Sequence, residues 1–390
     1  MSTLLSFAFR PFFLATGFYG ALIVLSWVGF LFAGWPLPVG WSPTHWHSHE
    51  MIYGLVPASI AGFLLTAITN WTGAAPLRGL PLLGLLGLWV LGRVGMWSAG
   101  WLPQALWVIA LADLLFLLVL AAYVTTILLL YGNRRNLILV IVLLSMATGN
   151  LLMHLGFVRG TYTLLQQGQQ LGLGLVALLL AVIAGRITPA FTANWLRQRG
   201  SQDTVKRSPW LDRLALGSLA LLIPLNLWVS NSALTGGLAL ASGLINGFRL
   251  WQWAGWRAAR EPLLWVLHLG YAWLVVALLL RGITELHWLR LPPTLWQHAL
   301  GVGALGTLVL GVMLRVSLGH TGRPLKLPRF AVSIVWLITL ATVLRLLAAM
   351  QFVPYRLGIT VSATAWFLAF LLFTLLYWPI LSRSRIDAHP

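Results

Sequence analysis

The sequence contains no cysteine. That single absence excludes disulfides, thiolate nucleophiles, Cys-ligated zinc and iron–sulfur clusters together, and leaves imidazole and carboxylate as the strong metal-binding side chains. Charge is almost as scarce. Only 8% of residues are charged, against about 25% in a soluble domain, so a water-soluble globule is excluded too. What fills the space is apolar: 59% of residues are hydrophobic, and the mean hydropathy is +0.87. Apolar runs near the length that crosses a bilayer recur throughout, which points to a polytopic helical membrane protein. The formal net charge of +18 invites a nucleic-acid reading. In a membrane protein, however, Lys and Arg accumulate in cytoplasmic loops, and that explanation is sufficient if they fall on one side.

Measured against the span of a bilayer, the runs give about twelve segments, near residues 12–33, 44–69, 79–97, 104–131, 136–157, 165–186, 211–230, 234–256, 262–283, 294–318, 330–350 and 356–381. The first is too long for a cleaved signal peptide and lacks a small-residue cleavage site. The only sizeable loop expected is 187–210. No internal repeat is visible, and residues 1–390 read as a single integral membrane domain. Basic residues then fix the orientation. Arg10, Arg78, Arg134, Arg135, Arg186, Arg197, Arg199, Lys206, Arg207, Arg213, Arg249, Arg257, Arg260, Arg315, Arg323, Lys326, Arg329, Arg383 and Arg385 lie on one side, whereas the opposite side has only Arg159, Arg281, Arg290 and Arg356. Both termini are therefore expected in the cytoplasm.

The densest chemistry lies in residues 42–53, SPTHWHSHEMIY, where three of the nine histidines precede a glutamate. Ser42 followed by Pro43 is a helix start, with the hydroxyl capping free N–H groups and proline at the first position. His45, His47 and His49 then occupy the first two turns of a helix entering the membrane, where ionisable groups are costly and mark function by default. His154, at the end of the fifth segment, and His298, a turn into the tenth, share their depth near the outer face. His268 falls toward the cytoplasmic half, and His320 in a cytoplasmic loop.

Each histidine alone reads equally well as an interfacial hydrogen-bonder. Convergence of His47, His49, His154 and His298 favours metal ligation. His47 and His49 point about 200° apart on a helix, so they would serve two centres rather than one. Gly301, one turn after His298, leaves room beside a ligating imidazole or allows close helix packing. Asn150 lies on the same face as His154 as a partner for a ligand or as an interhelical hydrogen-bonder. Glu50 can accept from a ligand imidazole, sit on a proton route or pair with an arginine. Arg93 and Arg345, inside helices, either snorkel to headgroups or balance an anionic cofactor group such as a haem propionate. Asp113 can pair with Arg93 on the preceding helix.

Seven strings carry a resemblance: PFF at 11–13, WHSHEM at 46–51, GFLLTAITNWTG at 62–73, GRITPAF at 185–191, NGFRLWQW at 246–253, PLLWVLHLGYAW at 262–273 and RVSLGHTGRP at 315–324. In this order, through nearly the whole chain, they resemble the NnrS family. The resemblance implies a bacterial inner-membrane protein that contains haem b and copper and belongs to the response to nitric oxide and nitrosative stress. It carries over His47, His49, Glu50, His154, His268, His298 and His320 as site residues, without saying which bind haem and which copper. The expectation is an all-helical bundle acting on nitric oxide or a related small molecule, resembling nitric oxide reductases if it is an enzyme. Catalysis would use Glu50 as a proton carrier and electrons from an external donor, since no c-type haem motif is present. A transporter or channel, binding its cargo transiently through histidines, is the alternative.

Overall fold

The computed structural model describes residues 3–37, 39–201, 205–229 and 231–386. Twelve long helices account for most of them: α1 Phe9–Ala33, α2 Pro43–Thr72, α3 Leu80–Ser98, α4 Pro103–Leu130, α5 Arg134–Arg159, α6 Tyr162–Gln198, α7 Pro209–Trp228, α8 Ser232–Gln252, α9 Pro262–Glu285, α10 Thr294–His320, α11 Val332–Ala349 and α12 Tyr355–Ser382. No strand occurs among the described residues. All of these helices except α8 are long and apolar enough to cross a membrane. Helix α8 is long enough, but it carries Thr235, Ser242, Asn246 and Arg249 on its buried face.

Helix boundaries follow local chemistry. Ser42 caps α2, its side chain accepting from the His45 N–H, with Pro43 at the first position as the sequence predicts. Asn231 caps α8 through the Leu234 N–H, and Glu261 caps α9 through the Leu263 N–H ahead of Pro262. One boundary differs from expectation. Helix α6 runs 37 residues to Gln198, through Pro189, so the first half of the loop expected at 187–210 is helical. Hydropathy locates the end of the apolar run, not of the helix. Residues beyond it still bury a face: Thr188 and Thr192 are fully buried, Thr192 Oγ1 donates to the Thr188 carbonyl at 2.8 Å, and Arg315 lies 4.2 Å over the Phe191 ring.

Two short stretches wind more widely, as π-helix: Glu50–Leu55 within α2 and Ala299–Gly306 within α10. Each begins immediately after a histidine, His49 in one case and His298 in the other. Such wide turns gather at functional positions.

The chain forms two compact units. The first comprises residues up to Leu175, His320–Gly322 and the chain from Thr374 onward. Its centre is α2, where every residue from Val56 to Gly62 is buried, so no face of that stretch meets the exterior. Gly62 lets α1 approach, because a Cβ there would run into Phe13. The second unit comprises Val176–Gly319 and Arg323–Phe373. It is built on α9, which meets α8 at Gly236, Gly243 and Gly282 and α10 at Gly270 and Gly311, positions where a Cβ would crowd the facing helix. Small residues at helix crossings are how membrane helices gain packing without a hydrophobic driving force.

Candidate metal centre

In the first unit, five helices bring polar and ionisable side chains together in the buried interior. His49 (0% exposed), Glu50 (0%), Asn150 (0%), His154 (2%), Asp113 (3%) and Arg93 (5%) are all buried. Helix α2 supplies His49 and Glu50, α3 Arg93, α4 Asp113, and α5 Asn150 and His154, the last two one turn apart on the same face. Tyr19 comes from α1. Glycines make the approach possible: a Cβ at Gly92 would lie 2.9 Å from the Asp113 Cα, and one at Gly54 would meet the Arg93 guanidinium.

Arg93 is the pivot of the charges. Its Nη1 donates to Glu50 Oε1 at 2.7 Å and Oε2 at 2.6 Å, while its Nη2 pairs with Asp113 Oδ1. Tyr19 donates its hydroxyl to Glu50 Oε2 and accepts from Trp97 Nε1 at 3.1 Å. The remaining carboxylate oxygen, Asp113 Oδ2, is a point of convergence. Asn150 Nδ2 donates to it at 2.8 Å, His154 Nε2 lies at 3.0 Å, and His49 Nε2 at 3.2 Å.

His49 is surrounded by acceptors. Its Nδ1 faces Glu50 Oε1 at 2.8 Å, and its Nε2 faces Asn150 Oδ1 at 2.7 Å. The amide orientation is set by the Asn150 donation to Asp113. A neutral imidazole carries one N–H and cannot satisfy oxygens at both nitrogens. If Nδ1 donates to Glu50, the Nε2 lone pair points into oxygen lone pairs, and the position calls for a second proton or a metal cation. His49, Asp113 and His154 can each offer one ligand atom, all within 4.8 Å of one another. Nitrogen and oxygen donors of this kind suit zinc, copper, nickel or iron, and the Glu50–His49 contact is the carboxylate–histidine arrangement that orients and strengthens a metal-ligating ring.

Of the residues singled out in the sequence, His49, Glu50, Arg93 and His154 are thus brought together. Asp113 is there as more than the partner of Arg93, and Asn150 bonds His49 and Asp113. Tyr19 had no signal, being one aromatic among several in an apolar run. His47 points elsewhere, stacked on Trp27 with ring centroids 4.5 Å apart, as its two-residue offset from His49 requires. His45 bonds the Ser42 hydroxyl through Nδ1 at 2.7 Å, and the His320 ring lies 5.6 Å from that of Phe9. His298, His268 and Arg345 belong to the second unit. His298 Nδ1 donates to the Thr294 carbonyl at 2.7 Å. Thr192 Oγ1, its own proton committed to Thr188, accepts from His268 Nε2 at 3.0 Å. Arg345 Nη1 is buried with no hydrogen-bond partner among the described residues. His389 lies outside the described residues.

No curated protein matches the chain. The family model described as NnrS protein matches residues 3–385, which covers every element of the centre, and the chain therefore belongs to the NnrS family, multi-pass membrane proteins linked to the response to nitric oxide.

Proposed function

We propose that this protein holds a transition metal at His49, Asp113 and His154 and a b-type haem in the second unit, and that it binds or reduces nitric oxide at the outer side of a bacterial inner membrane, with both termini cytoplasmic. The observation that carries the metal is the His49 ring, both of whose nitrogens face acceptor oxygens. Copper, the metal the family implies, fits this imidazole and carboxylate set. For haem, the fitting residues are His298, whose ring is oriented by Nδ1 donating to the Thr294 carbonyl, and Gly301, where a Cβ would meet nothing within 4 Å. The buried, unpartnered Arg345 Nη1 and Trp273 Nε1 are donors suited to an anionic or carbonyl oxygen. His47 and His268 remain further ligand candidates.

A copper ion held by His49, Asp113 and His154 would supply a binding position for nitric oxide and a one-electron redox change. The chain's own part is orientation. Arg93 and Tyr19 hold Glu50, Glu50 holds His49, and Asn150 aims Asp113. With both oxygens already accepting, Glu50 is suited to positioning His49. Electrons for reduction would come from an external donor. Burial of all three ligands disfavours a transporter, whose cargo must reach its site from bulk water.

Elemental analysis and a visible spectrum of the purified protein test this reading. About one copper per chain is expected, lost in His49→Ala and His154→Ala, together with a Soret band lost in His298→Ala. Absence of both cofactors after expression with haem and copper in excess would end it.

A further inference from the structure

Trp41 lies over the centre. Its ring is 5.0 Å from that of His49 and 5.3 Å, edge-on, from that of His154, and it stacks on Phe157 at 4.7 Å and 19°. It is 4% exposed. The centre lies close to the ends of two helices. His49 is seven residues into α2, roughly 10 Å from its cap, and His154 is five residues before the end of α5. Trp41, directly before the Ser42 cap, and Phe157, one turn beyond His154, fill that end.

The segment carrying Trp41 is held at both sides. Gly40 has a φ of +68°, and a Cβ there would lie 3.2 Å from the Gly100 backbone, so neither the conformation nor the contact with the turn after α3 admits a side chain. Val39 beside it is 1% exposed. On the other side Ser42 is fixed by its capping bond to α2. The indole is therefore a fixed apolar layer rather than a loose surface ring.

We propose that Trp41, backed by Phe157, is the selectivity residue of the centre. It admits small uncharged molecules and excludes ions, whatever their sign. The inference rests on the reading of His49, Asp113 and His154 as a functional centre, and it names the class of molecule that reaches it: a small, uncharged, weakly hydrated species, not nitrite, azide or a hydrated cation. A charged solute crossing between the Trp41 and Phe157 rings must give up most of its hydration shell to aromatic faces, a cost that an uncharged molecule escapes. Metal loading must then occur while the layer is displaced or before it packs.

The absence of cysteine from the chain allows a test that needs no metal. His154→Cys introduces a single thiol under Trp41. Its modification by the uncharged hydroxyethyl methanethiosulfonate is compared with that by the anionic sulfonatoethyl and cationic trimethylammonioethyl reagents, which share its ethyl arm, so that the ratio cancels the thiol's own reactivity and most of the difference in size. With Trp41 present, both charged reagents are expected to react at least about tenfold more slowly than the uncharged one. Adding Trp41→Ala should raise both charged rates by about tenfold, and Trp41→Phe should leave them low. Phe157→Ala gives the same opening if Trp41→Ala does not fold. Charged reagents reacting as fast as the uncharged one beneath Trp41, or a ratio unchanged by both openings, would overturn the proposal. Elemental analysis of the unmodified protein is scored separately: a metal-free protein removes the metal reading, while the thiol ratios decide the role of Trp41.

Discussion

Gly149 on α5 faces the Tyr53 hydroxyl so closely that a Cβ at Gly149 would collide with it. Tyr53, four residues after His49, donates to the Gly168 carbonyl at 2.6 Å, and Gly172 crowds the same ring from α6. Gly149 and Gly172 thus shape one slot for a phenol beside the centre, with the Gly168 carbonyl as its acceptor. Gly149→Ala is expected to cost about 1–3 kcal/mol through overpacking. Because the collision is with the hydroxyl, Tyr53→Phe in the same chain should recover part of the loss. Thermal unfolding in detergent measures both, and an unrecovered loss would place the collision elsewhere.

Arg93→Ala leaves Glu50 and Asp113 as buried carboxylates without their common partner. Breaking a buried ion pair from one side typically costs about 3–5 kcal/mol, and here two pairs break together, so the variant should be severely destabilised. Asp113→Asn removes one of those charges. In the Arg93→Ala background it should lessen the loss, which a double-mutant cycle on thermal stability would detect.

In the second unit, Arg249 pairs with Asp212 at 2.6 Å and donates to Tyr271 at 2.8 Å, and Tyr271 donates to Asn246 Oδ1 at 2.5 Å. Gly185 leaves the space that the guanidinium occupies. Tyr271→Phe strips an acceptor from a buried cation and a donor from Asn246, with an expected loss of about 1–3 kcal/mol. Hydrogen exchange of α8 and α9 should rise in this variant, with no change in the content of the metal proposed for His49, Asp113 and His154.

Gly301 faces open space, so Gly301→Leu should fold while filling the room beside His298. Lower haem content in Gly301→Leu and in His298→Ala, with membrane insertion retained, is the expected pair of outcomes. Unaltered Soret absorbance in both would return His298 to the role of an interfacial hydrogen-bonder.

The helix count, the α2 start at Ser42 and Pro43, and the cluster's charged members were legible because each violates its surroundings: a cap before an apolar run, or an ionisable group inside one. Tyr19 and Trp41 violate nothing. An aromatic in an apolar segment packs a core far more often than it orders a carboxylate or covers a metal, and only three-dimensional proximity separates the cases. The ending of α6 was missed for a related reason. Polar threonines end the apolar run in sequence, whereas Thr188 and Thr192 are both buried, and Thr192 bonds one turn back to the Thr188 carbonyl within a helix that continues past Pro189.

The wide turn at Glu50–Leu55 also governs how sequences of this family should be aligned and engineered. An ordinary turn carries fewer residues, so α2 enters the turn in one angular phase and leaves it in another. Residues up to His49 keep the phase set at Pro43, while those from Val56 onward follow a wheel rotated from the first. Deleting one residue between Glu50 and Leu55 would bring the two wheels into register and turn His49 away from α5 while leaving the hydrophobic pattern of the rest of α2 intact. A homologue lacking that residue would look like a close relative by hydropathy and yet present a different side chain to Asp113.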